Sequence, residues 1–136
     1  MWVSVKSWQS VHFRHMETTN GSADDLRSGW SPVLTRVRLK AAHHVVTRHG
    51  HAAAVLVPTA WHAQAGGAVT DTITAETAVR GLSDLLDRAQ GGEHVAVTHR
   101  GRAAAVAVPP EWHAQITSAA PDNGANAAVQ ALSDPT

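Results

Sequence analysis

One stretch of this chain occurs twice, and that constrains its fold more than any other feature. Residues 43–64, HHVVTRHGHAAAVLVPTAWHAQ, return as residues 94–115, HVAVTHRGRAAAVAVPPEWHAQ, at a constant offset of 51. Of the 22 aligned pairs, 14 are identical, including His43/His94, Thr47/Thr98, Gly50/Gly101, Pro58/Pro109 and Trp61/Trp112. Self-similarity at a fixed spacing signals a repeated structural unit. Two copies are too few for a solenoid, which needs about three or more. The expectation is a tandem pair of one small domain.

Each copy reads as two strands, a turn and the start of a helix. Val95 and Val97 alternate with Ala96 and Thr98, the period of a half-buried strand. Gly101 and Gly50 supply the positive φ that a tight hairpin turn needs. Residues 103–108 form the return strand, with Val106 and Val108 on one side and Ala105 and Ala107 on the other. Pro109 ends strand pairing because it has no N–H to give, and Pro110 suits the first turn of a helix running through Trp112.

The rest of the chain divides around these copies. Residues 1–23 are expected to be a loosely ordered arm, ending in the loop signal Asn20-Gly21-Ser22. Residues 24–64 form a first, degenerate copy. Its helix is interrupted by Gly29 and Pro32 and restarts with Ser31 as N-cap, leaving Val33, Leu34, Val37 and Ala41 as an apolar stripe. Residues 65–71 are a linker. Residues 72–115 form the better copy, with Thr74 as N-cap and a bend at Gly81. Ala78, Leu82, Leu85, Leu86 and Ala89 fall on one helix face there. Residues 116–136 are a flexible polar tail with a turn cluster from Pro121 to Gly124.

Composition narrows the function classes. Formal net charge is zero, but the distribution is uneven. Residues 1–50 hold seven Lys/Arg against three Asp/Glu, and residues 51–136 four against eight, so a basic front precedes an acidic back. With no cysteine there is neither a disulfide framework nor thiolate chemistry. No apolar run approaches the ~20 residues of a membrane span, and the start lacks a signal-peptide core, so a cytoplasmic protein without membrane contact is expected. There is no Gly-rich phosphate loop, no HExxH and no nucleophile elbow, and the expectation is a non-enzyme without a cofactor. Ten histidines raise the question of a metal, with His43-His44 and His49-x-His51 the densest groups. A two-histidine site needs further ligands, so surface histidines and no metal are expected.

The wording of residues 72–115, TITAETAVRGLSDLLDRAQGGEHVAVTHRGRAAAVAVPPEWHAQ, resembles the Phd/YefM family of bacterial antitoxins. The matching features are a short first strand, the LSDLLDRA helix and a Gly-rich break. They continue with a strand ending in Thr-basic-basic-Gly, an Ala/Val-rich return strand, and a proline before an aromatic helix start. Residues 29–64 match the same pattern, with TRHG at 47–50 nearer the usual wording. The resemblance implies an α+β fold of β-α-α-β-β-α units. It also implies dimerisation, here as a homodimer or an intramolecular pseudo-dimer of the two copies. It implies operator DNA binding by the N-terminal part and capture of a cognate toxin by a C-terminal extension. Two features depart from the pattern. Ala78 is followed by Val79, with the arginine one place later at Arg80, and only 21 residues follow Gln115.

On this reading the candidates for DNA contact are Arg80, Arg100 and Arg102, with Arg36, Arg38, Lys40 and Arg48 in the first copy. They fall on helices and hairpin turns, where phosphates are reached. Toxin contact is expected at Trp112, Ile116, Val129 and Leu132, beyond the part that must bury itself to fold. The leading expectation is a type II antitoxin that binds its toxin directly and represses its own operon. An orphan DNA-binding regulator and an interaction module without DNA binding stay open.

Overall fold

A computed structural model of the chain describes residues 17–125, in two units, 17–110 and 111–125. In the first unit, the front half runs β1 (Thr18–Ser22), α1 (Ala23–Lys40), β2 (His43–Arg48), β3 (His51–Val57) and α2 (Thr59–Gln64). The back half runs β4 (Asp71–Thr74), α3 (Ala75–Arg80), α4 (Leu82–Gln90), β5 (Val95–His99) and β6 (Arg102–Val108). The fold is α+β, and all six strands join one mixed sheet in the order β1-β2-β3-β6-β5-β4.

The halves use the same local chemistry. Both hairpin turns place two successive residues at positive φ: His49 at 55° with Gly50 at 78°, and Arg100 at 55° with Gly101 at 77°. That is the two-residue turn whose twist matches the flanking strands. Both hairpins shift register two residues before the end of the first strand, between Val46 and Thr47 and between Val97 and Thr98. In both, a threonine hydroxyl ties the edge strand: Thr47 Oγ1 donates to Gly21 O at 3.3 Å, and Thr98 Oγ1 donates to Ile73 O at 3.5 Å. Each edge strand is parallel to its neighbour and ends in a helix N-cap. Ser22 accepts from the Asp25 N–H in a capping box, and Thr74 accepts from the Thr77 N–H.

The join between the halves is short. Antiparallel β3 and β6 pair only as Val55↔Val108, Leu56↔Ala107 and Val57↔Val106. Leu56 and Ala107 stand 51 apart, so the pairing is symmetric about them. Residues 53–57 and 104–108 are buried throughout, unlike a strand with one wet face. Ala54, Leu56, Ala105 and Ala107 join the cluster under the helices with Leu26, Leu34, Val37, Leu82, Leu85 and Leu86. The predicted stripe Ala78, Leu82, Leu85, Leu86 and Ala89 is buried at every position. Gly81, at φ −111° and ψ 44°, makes the bend between α3 and α4.

Several expectations need correction. Asn20-Gly21-Ser22 is strand rather than loop, because the Gly21 and Ser22 backbone pairs with Val46 and Thr47. Residues 1–16 of the proposed arm lie outside the described residues. The break in α1 is at Gly29, φ −133° and ψ 34°, and not at Ser31. Pro32 therefore falls in the first turn after the break, where its missing N–H would have no helical acceptor. Ala41 leaves the stripe: it is the left-handed cap of α1, at φ 55°, and Ala42 is buried instead. The linker ends at residue 70, since Asp71 already pairs with Val95.

In the second unit, helix α5 spans Pro110–Ala125. Residues 116–125 of the predicted tail are thus helical, past the turn cluster at Pro121. Pro121 withholds one N–H, and the helix-favouring alanines around it offset part of that cost. The remainder of the tail, 126–136, lies outside the described residues.

Candidate functional site

The seven predicted cations do not form one cluster. Arg36, Arg38 and Lys40 are exposed on the last turns of α1, and Arg80 is exposed at the end of α3. Arg100 and Arg102 are exposed at the β5–β6 turn. None of these six forms an ion pair among the described residues. The carboxylates that are ion-paired belong to Arg27, Arg48 and Arg88.

Arg48, at the β2–β3 turn, is different. Its Nη1 donates to Ser83 O at 3.3 Å and to Ser83 Oγ at 3.4 Å, and its Nη2 donates to Asp87 Oδ1 at 2.8 Å and Gln90 Oε1 at 2.6 Å. The guanidinium fork fits acceptors one and two turns apart on α4. Arg48 is therefore a clamp between the front hairpin and the back helix, its guanidinium engaged within the chain. Nothing in the sequence linked Arg48 to Ser83, Asp87 and Gln90, because the contact depends on where α4 crosses the sheet. Fifty-one residues on from Arg48 stands His99. It meets the edge of the Trp30 ring on α1, with centroids 4.9 Å apart and planes at 90°. The two turns are thus built alike and braced differently.

The turns also face apart. Strands β3 and β6 pair through their C-terminal ends and start from their own turns, so the turns lie toward opposite ends of the sheet. Along α1 the apolar Leu39 is 64% exposed, and Ser31, Pro32, Thr35, Arg36 and Lys40 line a shallow groove with it.

Four histidines depart from the expected surface role, whereas His49 and His51 are exposed. His43, His44, His62 and His94 are buried. His43 meets the buried Trp61 edge to face at 4.6 Å. His44 Nδ1 lies 2.7 Å from Thr19 Oγ1 and ties β1 to β2. Its pKa is lowered by burial first and by the Arg36 charge second. His62 Nε2 and His94 Nδ1 are 2.8 Å apart. Burial lowers the pKa of both, and for His62 the His94 charge adds to it. This pair was missed: the sequence marks both residues as repeated but gives no sign that they meet. Among the described residues no group of three or more His, Cys, Asp or Glu side chains is placed to hold a metal.

Of the predicted toxin contacts, Trp112 and Ile116 are half-buried residues of α5, and Val129 and Leu132 lie outside the described residues. No helix among the described residues is long and apolar enough to cross a membrane. No protein-family model, curated protein or solved structure matches the chain.

Proposed function

We propose that the protein is an antitoxin of the Phd/YefM kind, present as two tandem copies joined into one pseudo-dimer. In this reading it represses its own operon by binding DNA and neutralises a cognate toxin by direct contact. The observation that carries it is the symmetry of the sheet about Leu56 and Ala107, with equivalent two-residue turns toward its opposite ends. Six strand residues separate each turn from that centre, so at ~3.3 Å per residue the turns are up to roughly 40 Å apart before twist shortens the span. One turn of duplex DNA, the usual spacing of two half-sites, is about 34–36 Å. Arg100 and Arg102 at one turn, Arg80 on α3, and Arg36, Arg38 and Lys40 on α1 supply exposed cations for phosphate contact. Trp112 and Ile116, with Val129 and Leu132, remain the proposed toxin contacts.

A mobility-shift titration on the DNA upstream of the coding sequence tests the repressor half of this reading. A shift that weakens steeply with salt is expected. Arg100→Ala with Arg102→Ala should reduce the salt slope by roughly one unit for each phosphate that the two arginines neutralise. Absence of a shift at low salt removes the DNA-binding function. Co-expression with a toxin encoded next to this gene tests the other half, and growth rescue that survives deletion of residues 116–136 removes Ile116, Val129 and Leu132 from the toxin contacts.

A further inference from the structure

The segment that joins the halves is pinned by two histidines. His62 sits in α2, at the end of the front half, and His94 immediately precedes β5 of the back half. Between them in sequence lies the connection 65–70, which packs around the pair. Gly67 N–H donates to His62 O at 3.0 Å, and Thr70 N–H donates to His94 O at 2.8 Å. His94 N–H donates in return to Thr70 Oγ1 at 3.2 Å. Gly67 approaches the His62 ring so closely that a Cβ there would overlap it. The connection thus has its backbone bonded to both histidines, and the histidines are bonded to each other.

Two neutral rings satisfy the 2.8 Å contact with one N–H donating to one bare nitrogen. A first added proton leaves that bond intact, since the partner still offers a lone pair. A second proton leaves two N–H groups facing each other in a buried place, where neither ring any longer offers the other a lone pair. We propose that the His62–His94 contact is an acid-released latch: neutral, it holds the 65–70 connection against the start of β5, and full protonation frees that connection while the sheet stays intact.

The connection 65–70 carries no charged side chain, and α2 carries none besides His62. Glu93, beside His94, and Asp71, at the end of the connection, are both bound by Arg88, at 2.9 and 2.8 Å. The Arg88 hydrogen bond is the main reason that the Asp71 pKa is lowered, so Asp71 stays ionised through the histidine range. His43 meets Trp61 on the same short helix and is a further titratable group.

Amide hydrogen exchange on the full chain, corrected for intrinsic rates, tests the latch from about pH 7.5 down to about pH 4.5, because histidine ordinarily changes charge near 6.5, burial lowers both rings and release needs both charged. Protection at Gly67 and Thr70 should fall about tenfold or more over that range, while Leu85 in α4 keeps its own, because local opening precedes global unfolding. His62→Gln with His94→Asn places amide groups where the two ring nitrogens stand and cannot titrate, so its protection at 67 and 70 should not depend on pH. Constant protection at Gly67 and Thr70 in the unsubstituted protein overturns the proposal, and that measurement stands even if the double variant fails to fold. A parallel loss at Leu85, or the same pH dependence in a folded double variant, also overturns it. A His43→Gln variant that abolishes the dependence assigns the switch to His43 and overturns the latch.

Discussion

The front and back hairpins share a turn type, a register shift and a threonine tie, yet differ in what braces them. Arg48 grips three residues of α4 through four hydrogen bonds, whereas His99 meets α1 through one ring edge against Trp30. The backbone is therefore set by features the halves share: glycine at the turn, alanine and valine in the return strand, a hydroxyl N-cap. The braces are free to differ because they lie on the surface of an already determined scaffold. The difference also redistributes charge. The front turn commits its arginine to hydrogen bonds with α4, and the back turn leaves Arg100 and Arg102 exposed.

If the scaffold is shared, matched core positions should respond alike. Leu34→Ala and Leu86→Ala, which stand 52 apart and are both buried, should each cost about 2–5 kcal/mol in urea unfolding. A cost at Leu34 below a third of that at Leu86 would break the comparison. The braces should respond unequally. Arg48→Ala should cost roughly 1–3 kcal/mol by removing charge-assisted hydrogen bonds. His99→Ala should stay within about 1 kcal/mol, the scale of one aromatic edge contact. Equal losses in the same unfolding assay would mean that the braces are equivalent after all.

A smaller effect follows from His44, which ties β1 to β2 in the front half, where the back half has Val95. Its folded pKa is lowered by burial and then by Arg36, so the folded state takes up its proton later than the unfolded chain. The stability it confers is full above the unfolded value of about 6.5 and is lost as pH falls through the folded value. Thermal melts from about pH 7.5 downward should show this loss in the unsubstituted protein and a shallower one in His44→Asn. The smallest effect concerns Asp24, paired with Arg27 in α1, for which the matching positions Glu76 and Val79 offer no pair. Asp24→Asn should change stability by less than about 0.5 kcal/mol, as an exposed i, i+3 pair does.

Much of the scaffold was legible because it rests on short-range signals. The duplicated hairpin, the Thr74 cap, the Gly81 bend and the Ala78–Ala89 stripe are all set within a few residues of themselves. Strand β1 was hidden because Thr18–Ser22 has almost no side-chain signature and is held by backbone pairing to a strand 25 residues later. The break in α1 was misplaced because Pro32 looks like the cause of an interruption that Gly29 makes. Of the candidate site, the exposed cations could be read one by one. The Arg48 clamp and the His62–His94 contact could not, since each joins residues more than 30 positions apart through the crossing of the two halves.

The short β3–β6 join has a consequence for how the protein behaves on dilution. Beside its three residue pairs the halves share one core, in which Leu26 and Leu34 cluster with Leu82, Leu85 and Leu86. Within one chain the halves are tethered by residues 65–70, and a short tether holds partners at an effective concentration in the millimolar range. The pairing is then a first-order event, set by the tether and not by how much protein is present. Unfolding midpoints should accordingly be the same at nanomolar and micromolar protein, and a ligand that needs both halves finds them already assembled in every molecule.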